Sequence, residues 1–148
     1  MSTPNSNTSV YDQDFYLWIQ ETIVALQLSK LDPKEIPHLI EELEDMGNSQ
    51  KDALESNLIR VLQHLLKCKY QKHKRTDSWR ASITEHSLRL NRAFKKSPSL
   101  RPYFAQVFDD CYSDARLIAS RETGLELEVF PQECPFDPKD VLNPEYLP

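Results

Sequence analysis

Glycine is nearly absent from this chain: Gly47 and Gly124 are the only two in 148 residues. Tight hairpin turns, phosphate-cradling loops and dinucleotide-binding turns all lean on glycine, so its scarcity argues against strand-rich and nucleotide-binding folds and for helices. Cysteine is scarce as well. Cys68, Cys111 and Cys134 are odd in number and far apart. That excludes a disulfide framework or zinc-finger spacing and fits a reducing cytosol. No apolar run approaches the roughly 18 residues of a membrane span. Residues 1–10 lack the basic start and apolar stretch of a secretory signal. The expectation is a cytoplasmic protein without membrane contact.

What is present points to one helical domain. At 148 residues, with 39% hydrophobic and 28% charged residues, a single core can form without metal or disulfide support. The stretch from Ser49 to Arg75 carries Leu54, Leu58, Ile59, Val61, Leu62, Leu65, Leu66, Cys68 and Tyr70. At about 100° per residue these cover an arc of roughly 200°, wider than a surface helix needs. This helix is therefore placed at the centre of a bundle.

Around it the 3.6-residue period predicts helices over about 12–28, 33–46, 49–74, 78–96 and 98–123. In the second, Ile36, Leu39, Ile40, Leu43 and Met46 are expected to face inward. Gly47-Asn48 is read as the turn that ends this helix and sends the chain back. In the fourth, His86 falls on the apolar stripe between Ile83 and Leu90. Beyond Gly124 prolines recur and no helix can continue, but Phe130 and Phe136 are expected to be buried against the bundle. The fold class is all-α, a single-domain bundle of about five helices with a Pro-rich tail packed on it. The divisions are 1–10 as a disordered lead, 11–124 as the bundle and 125–148 as an extended tail of the same domain.

Charge is segregated. Residues 1–59 carry three Lys/Arg against eleven Asp/Glu, net −8; residues 60–101 carry twelve against two, net +10; residues 102–148 carry three against ten, net −7. Such a middle can meet an acidic partner, nucleic acid included. The blander account, and the one adopted from the sequence, is pairing inside the bundle. Arg89, Arg92 and Lys96 would then lie near Asp52 and Glu55.

Several strings occur in order: Tyr11 to Trp18, Glu41 to Gly47, His64 to Lys67, Ser78-Trp79, Ser97 to Leu100, Glu122 to Leu125, and Phe130-Pro131 with Cys134-Pro135. Together the chain resembles, over residues 11–148, the bacterial family called domain of unknown function twenty-nine. The resemblance implies an all-helical fold and no activity, substrate or cofactor.

Three constellations bear on chemistry. His38, Glu41, Glu42 and Asp45 share one helix face, a geometry able to hold a metal, against the alternative of a solvated acidic face. His64 cannot join them if the helices fold back at Gly47, being on the order of 15 Å out of register. His64 and Cys68 are an i, i+4 pair, too few ligands for a metal. Arg80 and His86 form an Arg-x5-His spacing like that of the HEPN ribonucleases, with the histidine as acid or base and the arginine on phosphate. Six residues apart, they stand about 120° out of line on one helix. Cys111 sits mid-stripe, where a thiol is inert, and Cys134 is the more exposed thiol.

The leading expectation is a non-enzymatic interaction or adaptor module with a protein partner or with itself, and no cofactor. The alternatives are a metal-independent ribonuclease using Arg80 and His86, with RNA drawn to segment 60–101, and a metal-binding bundle using His38, Glu41, Glu42 and Asp45.

Overall fold

The computed structural model describes residues 9–30, 32–74 and 76–148. Residues 1–8 of the expected lead, and Arg75 of the basic run, lie outside the described residues. Helices α1 (Val10–Gln13), α2 (Phe15–Gln27), α3 (Ile36–Tyr70), α4 (Asp77–Lys96), α5 (Arg101–Thr123) and α6 (Pro138–Val141) follow in order, with no strand among the described residues.

The fold is the expected all-α bundle, but α3 corrects the sequence reading. It is one helix of 35 residues, about 52 Å long, where two helices and a turn at Gly47-Asn48 were expected. Gly47 is buried inside it. A Cβ there would stand 3.4 Å from Tyr16 and 3.8 Å from Ile19. The glycine serves the close approach of α2, not the end of a helix. Among the described residues Gly124 alone takes the left-handed conformation, at φ 74°, and stops α5 as expected.

The C-terminal half of α3 is the centre of the bundle. Leu54, Leu58, Val61, Leu62, Leu65 and Leu66 are at most 1% exposed. α4 runs antiparallel to it and α5 parallel. Thr76 caps α4 by accepting from the Trp79 amide. The expected first helix is broken at Asp14, whose carboxylate caps α2 at Leu17 N and also accepts from Ser99 N and Ser99 Oγ at 2.7 Å. The Tyr16 amide donates to Ser97 Oγ at 3.1 Å. These bonds pin the start of α2 to the α4–α5 corner.

The tail straps the bundle. Phe130 is fully buried with its ring edge-on to Tyr70, and Phe136 is 4% exposed. Arg116 Nε donates to the Phe130 carbonyl at 2.9 Å. Further on, Ser87 Oγ donates to the Val141 carbonyl, Asn91 Nδ2 to that of Leu142 and Thr84 Oγ1 to that of Pro144. The tail therefore joins α5 to α4 through satisfied backbone groups.

α2 and the first part of α3 have no such cover. No residue of α3 before Gly47 is buried, and α2 buries only Tyr16 and Ile19. The end of α4 lies level with Tyr16, which itself packs on Gly47. α3 runs eleven residues further out, about 16 Å, with α2 beside it. The two form a two-helix arm.

Candidate functional site

Two surfaces collect the side chains that the bundle does not need for its core. The first is a polar seam where α3 is left uncovered between α4 and α5. Lys67 is 8% exposed; its Nζ meets Glu122 Oε2 at 2.8 Å and stands 4.6 Å from the centre of the Trp79 ring. Gln63 Nε2 donates to the other oxygen, Glu122 Oε1, at 2.5 Å. The buried cation is answered by a carboxylate and an aromatic face, and the Gln63 amide holds the carboxylate in place, a combination that makes such burial tolerable.

On the α4 side, Asn57 Nδ2 donates to the Ala53 carbonyl, which turns Asn57 Oδ1 toward His86 Nδ1 at 2.8 Å. In neutral His86 the proton then sits on Nδ1. Burial lowers the His86 pKa, opposed by Glu85 alongside. His64 lies on α3 between Asn57 and Lys67, with Nδ1 buried and without a hydrogen-bond partner among the described residues. Burial first, then the Lys67 charge, lowers its pKa to about 4.

His64 is neutral in the folded protein through most of the range in which an unfolded histidine gains its proton. Its contribution to stability is whole above about pH 6.5 and is lost as pH falls toward 4. Urea unfolding at pH 7 and pH 4.5 should show a loss of about 1–2 kcal/mol from this group, allowing for solvent at the ring's open edge. His64→Gln should remove that share of the slope, and an unchanged slope would contradict the assignment.

Neither surface brings the sequence-derived candidates together as the sites expected of them. Arg80 is exposed and lines a groove of about 650 Å³ with Thr84, Leu88 and tail residues Asn143 to Leu147. His86 points to α3 instead, half-buried rather than aligned with the core stripe. His38, Glu41, Glu42 and Asp45 are all exposed, and among the described residues no group of three His, Cys, Asp or Glu forms a metal-holding cluster. With α3 continuous, His64 lies 23 residues beyond Glu41, about 34 Å away. The Cys111 thiol is pushed up to about 12, first by burial. Cys134 is partly buried and also raised by burial.

The expected internal charge pairing is largely missing. Ion pairs among the described residues are Lys67–Glu122 and Glu85–Arg89 within α4, with His86 Nε2 standing 3.7 Å from Glu85. Glu55 accepts from Tyr103 Oη instead, and Lys96 lies over the Phe15 ring. Arg92 and Lys95 are exposed on α4 without an ion pair among the described residues.

The second surface is the arm. Val24 on α2 and Leu28 at its C-cap are 55% and 82% exposed, and Leu39 and Met46 on α3 are 43% and 41% exposed. Leu39 and Met46 are therefore not the inward residues the sequence reading made them. The signal for α2 was present in its composition, since Phe15–Gln27 contains one charged residue, Glu21. A helix so apolar asks for cover on more than one side.

A family model described as "Domain of unknown function DUF29" matches residues 10–147. No curated protein and no solved structure matches the chain. No helix among the described residues is long and apolar enough to cross a membrane.

Proposed function

Because the chain belongs to the DUF29 family, whose description assigns no activity, we propose from its geometry that it is a non-enzymatic interaction module that docks partners through the α2–α3 arm. The observation that carries this reading is the apolar surface of the arm, Val24 and the C-cap Leu28 of one helix and Leu39 and Met46 on the other. Each pair recurs at four or seven residues, so it forms a stripe rather than scattered exposure. A partner covering these stripes would gain burial that the bundle leaves unused. The ribonuclease reading asks Arg80 and His86 to meet one phosphate, and they serve different faces of α4.

The test replaces Leu28 and Leu39 together with serine. Both are surface residues, so unfolding free energy should change by less than about 0.5 kcal/mol each. Partner capture from the native host, and self-association of the pure chain, should fall sharply in the variant. Unchanged capture and association would overturn the reading. So would RNA cleavage by the wild-type chain that His86→Ala abolishes.

A further inference from the structure

The charges on the arm and on α4 are complementary, and among the described residues they are not paired with each other, Arg89 pairing with Glu85 on its own helix. Between Ile36 and Gly47, α3 carries Glu41, Glu42, Glu44 and Asp45 and no lysine or arginine. Between His86 and Lys96, α4 carries Arg89, Arg92, Lys95 and Lys96 and no carboxylate. All eight are exposed. None of the four arm carboxylates forms an ion pair among the described residues. Geometry forbids most internal pairing, because the arm leaves the bundle where α4 ends, at the level of Ser97, Tyr16 and Gly47.

Each charged stretch also carries an apolar centre at matching spacing. On α3, Leu39, Glu42 and Met46 follow at i, i+3 and i+7. On α4, Leu88, Arg92 and Lys95 follow at i, i+4 and i+7. Both sets lie on one side of their helix. Leu39, Met46 and Leu88 are each between 41% and 43% exposed.

We infer that the arm's partner is a second copy of this chain, which lays the Leu88–Arg92–Lys95 stripe of its α4 on the Leu39–Glu42–Met46 stripe of α3. This rests on the arm being the docking element proposed above. A two-fold arrangement lets each copy give one arm and receive one, and so closes as a dimer. Closure also doubles the contact, which one helix pair needs to approach the roughly 1,200 Å² of a stable interface. The carboxylates supply register and attraction, and Leu39, Met46 and Leu88 supply burial.

The test uses sedimentation velocity on the full chain and two charge-reversed variants. One is Glu42→Lys with Asp45→Lys on the arm; the other is Arg92→Glu with Lys95→Glu on α4. All four positions are exposed and form no ion pair among the described residues, and thermal melts verify that the variants fold. The wild-type chain should dimerise and weaken at least about tenfold as salt rises from about 50 mM to about 500 mM. Each variant alone should be monomeric. Their equimolar mixture should form a one-to-one dimer, because both contacts are then between opposite charges again. A monomeric wild type, variants that dimerise unaided, or a mixture that stays monomeric would each overturn the inference. If the wild type is monomeric while Leu28→Ser/Leu39→Ser still abolishes capture of another protein, the arm remains a docking element and only the second copy is ruled out.

Discussion

Phe130→Ala will lower unfolding free energy by about 3–5 kcal/mol and the melting temperature by roughly 6–20 °C. Phe130 is the anchor of the tail. It is fully buried, its ring meets Tyr70 edge-on, and its own carbonyl accepts from Arg116. Removing the ring leaves a cavity between α3, α5 and the strap, which is otherwise bonded to α4 by three side-chain hydrogen bonds to its carbonyls and packed on the core through Phe136 and Val141. Truncation after Gly124 should act in the same direction and further, since Phe136 and Val141 leave the core as well. Circular dichroism melts give the comparison. A shift of less than about 2 °C for Phe130→Ala would mean that the tail does not hold the bundle.

Glu122→Ala is the second large effect, a loss of about 2–3 kcal/mol. Glu122 answers both Lys67 and Gln63, and its removal leaves the 8% exposed Lys67 with the Trp79 ring as its remaining close partner. The cost comes from the stranded charge more than from the bond itself. Lys67→Met in the same chain should therefore recover part of it, so that the double variant is more stable than Glu122→Ala alone. Chemical unfolding of the wild type, both single variants and the double variant checks this. If the double variant is the least stable of the four, Lys67 is not held in place by Glu122.

The sequence made the bundle legible wherever burial acts on one helix at a time. The apolar arc from Leu54 to Leu66 and the stripe of α5 are read from periodicity because each faces a single continuous core. Gly124 is read correctly because nothing beyond its own backbone decides its conformation. Gly47 looks the same from the sequence, a glycine closing an amphipathic run. Its role is decided by Tyr16 and Ile19, some thirty residues earlier. That contact converts an expected turn into the middle of α3, and with it an expected inner helix into a projecting arm. The Lys67–Glu122–Gln63 network was equally illegible, because its members lie 55 and 59 residues apart. Arg80 and His86 show the converse: their spacing is visible, but Arg80 lines the groove beside the tail while His86 is bonded to Asn57 of α3.

The projecting arm exists only if α3 is continuous through Gly47, and a distance along that helix tests this most directly. Spin labels at His38→Cys and Ser56→Cys, in a Cys134→Ser background, sit at exposed positions, while Cys68 and Cys111 are buried. The labelled sites are 18 residues apart, five full turns on one face. Pulsed electron paramagnetic resonance should give a separation of about 27 Å. A chain that folds back at Gly47-Asn48 would bring the two sites side by side, at about 10 Å, and that distance would contradict the arm and the docking built on it.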